Sequence, residues 1–152
     1  MELLDRIEGD LKSALKSGDK IRLQVLRALR AVVKNAEIAK QAALQEADVF
    51  TVIKTELKKR KESVEAFVKA KRSELAEQEE KEAIVLQEYL PKQLSNEEID
   101  VHVQQIAQEL SVTSQKEFGK LMGAVMKKVG ATADGTQVKQ RVQHYLSAQE
   151  KK

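Results

Sequence analysis

The stretch Glu88–Ile99, EYLPKQLSNEEI, decides how this chain is organised. Pro91 is the only proline in the sequence. It lacks an N–H and disfavours helix at the residue before it, so a helix arriving from the amino-terminal side ends by Leu90. Ser95 then stands three residues before Glu98, the spacing of a capping box. In that motif a hydroxyl and a carboxylate satisfy the first free N–H groups of a new helix. One helix stops and another starts across a single proline. The reading places a boundary there, with residues 1–90 on one side and 91–152 on the other.

Working back from Pro91, the segment SELAEQEEKEAIVLQEYL is an acidic helix opened by Ser73. Its cap rests on Ser73 alone, because Ala76 stands where a capping box wants Glu or Gln; Glu74 and Glu77 suit the positive end of the helix dipole. Before it, Val49, Ile53, Leu57, Val64 and Phe67 recur at helical steps, with Asp48 as the expected cap. Arg60 falls inside that apolar stripe. Glu56, one turn upstream, is its candidate partner, and snorkelling from the stripe's edge is the plainer alternative. Further back, Leu3, Leu4, Ile7, Leu11 and Leu15 form a first helix, stopped at Gly18. Asp19 caps a second helix with Ile21, Val25, Leu29, Val32 and Ala36 on one face.

Forward of Pro91, Ile99, Val103, Ile106 and Leu110 mark a fifth helix. Ser114 and Glu117 have the spacing of a second capping box. Phe118, Leu121, Met122, Val125 and Val129 form the inner face of a sixth helix, stopped at Gly130. Asp134 is placed to cap a last helix bearing Val138, Val142, Tyr145 and Leu146. The expected fold is all-α: an amino-terminal bundle of about four helices and a small carboxy-terminal domain of three.

Composition narrows the function. Charged residues make up 34% and aromatics 3%, which suits helices with long polar faces rather than a β-sandwich. Cysteine is absent, excluding disulfides, thiol catalysis and cysteine-ligated metals. The start, MELLDRIEGD, is acidic and amphipathic, so no secretory signal is expected. No apolar run approaches the roughly 18 residues that span a bilayer. The chain is expected in the cytoplasm, off membranes.

No catalytic set emerges. His102 and His144 sit on different helices, and Glu98 one turn before His102 is only a fragment of a metal site. Ser111 and Ser114 read as turn and cap residues. The acids of the fourth helix read as a solvated face. No glycine-rich loop follows a strand. No metal and no cofactor are expected.

The cations are the better lead. Lys20, Arg27, Arg30 and Lys34 line one face of the second helix, with almost no acid beside them. Lys54, Lys58 and Lys61 line the outer face of the third, and Lys116, Lys120 and Lys127 that of the sixth. Lysine and arginine at helical spacing can contact phosphates, although each row taken singly is an ordinary solvated face. Gly119 and Gly123 lie between the apolar stripe and the lysines of the sixth helix. An interior glycine costs about 1 kcal/mol relative to alanine. Two absent side chains make a shallow channel in which another backbone can come close. Two visitors fit: a neighbouring helix, or an RNA sugar–phosphate strand. At the Ala133–Gly135 loop, helix N–H groups suit an anion, but the charge of Asp134 opposes one.

Three blocks, ELKKRKESVEAF, EYLPKQLSNEEI and FGKLMGAVMKKVGATADGTQV, together resemble the YqeY family. That family is related to the carboxy-terminal part of the GatB subunit of tRNA-dependent amidotransferases. The resemblance covers nearly the whole chain. It implies two all-helical parts and a surface that grips tRNA while chemistry is done elsewhere. It also brings the label of a carbon–nitrogen ligase with glutamine as amide donor, which describes the assembly and which no residue of this chain supports. The expected function is a non-catalytic helical adaptor for structured RNA, foremost tRNA. It would read shape and backbone, without sequence-specific DNA binding. A docking module for an amidotransferase or synthetase and an accessory amide-transferring enzyme are the alternatives.

Overall fold

A computed structural model describes residues 2–152. All regular structure among them is helical: α1 (Glu2–Ser17), α2 (Lys20–Lys40), α3 (Glu46–Lys69), α4 (Ser73–Gln87), α5 (Asn96–Leu110), α6 (Phe118–Val129) and α7 (Gly135–Glu150). Short 3-10 turns lie at Gln115–Glu117 and Gly130–Thr132. The chain divides into two compact units, Met1–Leu90 and Pro91–Lys152.

In the first unit α1 closes at Gly18, which adopts a φ of +76° that only glycine takes without strain. The Asp19 carboxylate then accepts the Arg22 N–H at 3.1 Å and starts α2. The core joins Leu3, Ile7 and Leu11 of α1 to Val25, Leu26, Leu29 and Val33 of α2, Val49 and Ile53 of α3, and Val85 and Leu86 of α4. The buried sector of α2 is therefore turned from the expected one. Leu26 and Val33 are inside, while Ile21, Val32 and Ala36 are half-buried. The cause is that α2 is packed by α1 on one side and by α3 and α4 on another.

The start of α3 also departs from expectation. Gln45 occupies the cap position, and Asp48, three residues on, accepts the Gln45 N–H at 2.9 Å. The Asp48 carboxylate is held below its usual range, first by the Lys40 ammonium at 2.7 Å and then by that N–H. At the start of α4, Ser73 is already helical and Arg72 takes the cap position with no side-chain bond. Lys71 turns the chain with φ +59°.

The apolar core runs only half the length of the α3–α4 hairpin, and the core cluster takes nothing between Leu57 and Val85. Beyond Leu57, Ala76 is buried and Val64 and Phe67 are half-buried, and a charged group also joins the two helices. Arg60 donates to Glu79 at 3.2 Å and to Glu82, and the Gln78 amide donates to the second Glu82 oxygen at 3.3 Å. Arg60 thus pairs across the hairpin, and Glu56 pairs with Lys59 at 3.2 Å instead. Sequence spacing shows only neighbours on the same helix. The true partners arrive on the next one.

The carboxy-terminal end of α4 is fastened to α1 and α2. Tyr89 is buried and donates to Asp10 at 2.5 Å, and the Arg6 guanidinium stacks 4.7 Å above its ring. Burial, then the bond to Asp10, pushes the phenol well above its ordinary value. Arg22 grips Glu88 with two bonds, at 2.8 and 3.1 Å.

In the second unit α5, α6 and α7 enclose Ile99, Val103, Ala107, Leu121, Val125, Val138, Val142 and Leu146. The Ser95 hydroxyl accepts the Glu98 N–H at 3.2 Å, and Glu98 accepts the Ser95 N–H at 3.4 Å, as the capping box requires. Leu94 donates to the Thr132 carbonyl at 2.7 Å. Arg141 clamps Asp100 with two bonds of 2.6 Å, tying α7 to α5. Ser114 caps through the Lys116 N–H at 3.1 Å, so Glu117 does not complete a second box. Asp134 stands at the cap of α7 but makes no cap bond with its side chain.

The paired charges carry two expected outcomes. Arg60→Ala strands the buried Glu82 carboxylate without a counter-charge and is expected to lower stability by about 3 kcal/mol in urea titrations. Arg60→Met with Glu82→Leu is expected to recover most of that loss. The Glu88 carboxyl is held below its ordinary 4.5, first by the hydrogen bond from Arg22. Such a group stabilises the fold above its ordinary value and loses that contribution as pH falls through the lowered one. Glu88→Gln is therefore expected to be less stable than the parent at neutral pH, with a gap that narrows below pH 4.5.

Candidate nucleic-acid interface

On α6 the buried side is Leu121, Val125 and Val129, with Phe118 and Met122 half-buried. The opposite side is bare. Gly119 and Gly123 are exposed, and a Cβ added at either would meet nothing within 4 Å. No other helix of the second unit comes within 4 Å of a Cβ placed at either glycine, so no neighbour within that unit occupies the channel. Lys116, Lys120 and Lys127 stand beside it, all exposed. Among the described residues none of the three is paired with a carboxylate.

The three cation rows are not equivalent. On α3, Lys58 and Lys61 are exposed and unpaired, whereas Lys54 is half-buried and already engaged. On α2, Lys20, Arg27, Arg30 and Lys34 are exposed, but Arg30 lies 3.5 Å from Glu8 of α1. Glu8 and Glu37 share a groove with Arg27, Arg30 and Lys34, so the α2 face is not free of acid as the sequence suggests. Glu8 arrives from another helix, whereas Glu37 stands on α2 itself, three residues past Lys34. The acids of α4 pair with Arg60, which belongs to none of the three rows.

Sequence reading misses Lys128. It lines a shallow trough between α5 and α6 with Ile106, Leu110, Ala124, Glu109 and Lys127. The available signal is the pair Ile106 and Leu110, half-buried at the edge of the α5 stripe. Among the described residues no three His, Asp or Glu side chains gather as a metal site. His102 is half-buried with Nδ1 lacking a partner, and His144 is exposed on α7. No helix among them is long and apolar enough to cross a membrane.

These features define a class: an all-helical two-unit scaffold with arginines bound into its framework and lysine rows left open on its surface. The chain belongs to the YqeY family, whose model, described as Yqey-like protein, matches residues 4–146. Three similar curated proteins from fungi carry the name "Altered inheritance of mitochondria protein 41, mitochondrial". The one from Pyrenophora tritici-repentis is 30% identical over 150 residues, covering 96% of this chain and 82% of that protein. The one from Kluyveromyces lactis is 35% identical over 124 residues, covering 76% of this chain and 66% of that protein. The one from Lachancea thermotolerans is 33% identical over 113 residues, covering 72% and 60%.

The open channel makes a stability prediction. Neither glycine has a positive φ, and neither has a neighbour that excludes a methyl group. Gly119→Ala and Gly123→Ala are each expected to raise stability by about 0.5–1 kcal/mol through helix propensity alone, measured by thermal or urea unfolding.

Proposed function

We propose that this protein is a non-catalytic helical adaptor that binds structured RNA, with tRNA as its first candidate. The observation that carries the reading is the exposed glycine channel of α6 beside three unpaired lysines. A helix that forgoes side-chain stabilisation at two solvent-facing positions is built for close approach. Unpaired ammonium groups along its edge give a phosphate backbone its counter-charges without first breaking an ion pair. Displaced counterions then drive association. Lys58 and Lys61 on α3 extend the same chemistry, and the remaining cations of α2 and α3 add long-range attraction.

Recognition on this reading is of shape and backbone. Phe50, Phe67, Phe118 and Tyr145 are half-buried and Tyr89 is buried, so among the described residues no aromatic side chain stands fully exposed as a stacking platform. A-form stems offer phosphates and 2′-hydroxyls across a shallow groove and need no such platform. The family's kinship with the tRNA-gripping region of an amidotransferase subunit points to the same ligand. The reading requires an aqueous compartment that holds tRNA. The fungal relatives' names place them in mitochondria, and either that compartment or the cytoplasm meets the requirement.

Filter binding of tRNA across a salt series tests the proposal. Affinity is expected to fall steeply with salt. Replacing Lys116, Lys120 and Lys127 together by alanine is expected to flatten the log–log slope by about 2–3. Gly123→Ala is expected to weaken binding while stabilising the fold. No binding at low salt, or a slope that the triple variant leaves unchanged, overturns it.

A further inference from the structure

The α2 cations differ from the other two rows in what lies between them. Arg27, Arg30 and Lys34 rim a groove of about 630 Å³ between α1 and α2. Leu4 and Ala31 line it, and the edges of Leu29 and Val33 reach it from the core. Arg27, Arg30 with Ala31, and Lys34 recur at steps of three and four, so they form one stripe along α2. Ile38, 72% exposed, continues that stripe by one more turn. From Arg27 to Ile38 the stripe is about 16 Å long, roughly three helical turns.

Two antiparallel helices with a small residue between their ridges offer the groove into which a third helix packs. The charges say which kind of helix. Arg27 and Lys34 have no carboxylate partner among the described residues, and Arg30 is held only at 3.5 Å by Glu8. An incoming helix with glutamates along its edges would pair these cations, and its apolar face would cover Leu4 and Ala31. A phosphate strand fits less well. It gains nothing from the apolar floor, and that is where the two ligands differ, since Glu8 and Glu37 in the same groove oppose negative charge on either one. We propose that the α1–α2 groove is the docking site of an acidic amphipathic helix from a partner protein. The proposal stands apart from the RNA reading: it assigns Arg27, Arg30 and Lys34 to a protein and leaves RNA to α6 and α3.

The test uses the full chain and a fluorescein-labelled, stapled helical peptide of about 15 residues. Leucines occupy one face of the peptide and glutamates the flanks; a matched peptide carries lysine for every glutamate. Fluorescence anisotropy is expected to show saturable binding of the acidic peptide and none of the basic one. Arg27→Glu with Lys34→Glu is expected to weaken binding at least about tenfold. Ala31→Arg separates shape from charge. It adds a cation yet fills the floor, and is expected to weaken the acidic peptide by a similar factor. All three positions are exposed, and circular dichroism melts confirm that each variant folds. Equal binding of both peptides, or tighter binding by Ala31→Arg, overturns the proposal. So does a loss of tRNA affinity in the Arg27→Glu, Lys34→Glu variant as large as that in the α6 lysine variant, which would give the groove to RNA. Peptide binding without any tRNA binding would sink the RNA reading and leave this one standing.

Discussion

An α-helix in a small domain can bury only a stripe of its surface, and everything else in this protein follows from that limit. With a third of its residues charged, the chain must settle its ions outside a narrow core. It does so by tying the framework with arginine. Arg22 to Glu88, Arg60 to Glu79 and Glu82, and Arg141 to Asp100 each join two different helices or their ends. In Arg22 and Arg141 the guanidinium fork makes two parallel bonds, which fix orientation as well as distance, while Arg60 reaches both its glutamates from one nitrogen. Lysine, a point charge on a flexible stem, takes a smaller part: Lys40 joins α2 to Asp48 of α3, and most other lysines are exposed. Lys116, Lys120 and Lys127 of α6, Lys58 and Lys61 of α3, and Arg27 and Lys34 of α2 are among the cations left without a carboxylate partner among the described residues.

The α3–α4 hairpin shows the limit at its sharpest. Near α1 and α2 it buries Val49, Ile53, Val85 and Leu86. Farther out the core cluster does not reach, and Val68 and Leu75 stay exposed. There Arg60 and its two glutamates join the helices beside a thinner apolar contact of buried Ala76 and half-buried Val64 and Phe67. A buried ion group of this kind adds little net stability over an apolar pair, yet is costly to break by halves. It also specifies which faces of the two helices meet.

Much of this is legible in the amino-acid sequence alone. Apolar residues at three- and four-residue steps mark six of the seven described helices, and the fourth is read from Ser73, its acids and Pro91. The Gly18–Asp19 junction and the Ser95–Glu98 box are readable from local chemistry. What fails is whatever needs a second element. The buried sector of α2 turns because neighbours press on it from two sides. Arg60 finds its partners on α4 and not one turn away at Glu56. Asp48 lies three residues inside the cap of α3, where it can also reach Lys40 of α2, and Glu8 arrives beside Arg30 from α1. The site divides the same way. That Lys116, Lys120, Lys127, Gly119 and Gly123 share an exposed face is visible in the spacing. That the channel stays empty, and that the α2 row flanks a groove of mixed charge, depends on tertiary packing that no single helix encodes.

Two faces emerge with different chemistry. One is bare backbone edged by unpaired lysine, suited to a phosphate chain. The other is a groove of mixed charge between α1 and α2, with Leu4 and Ala31 in its lining and Arg27, Arg30 and Lys34 at its rim. An adaptor that joins an RNA to a protein needs both. The most direct measurement is an amide NMR titration of the labelled protein with tRNA, read at the glycines. The sequence holds only six, and their signals fall in a sparse region of the spectrum. The account predicts that Gly119 and Gly123 shift or broaden first while Gly9 and Gly18 in the other unit stay in place. Movement confined to Gly9 and Gly18, or no movement at low salt, would contradict it.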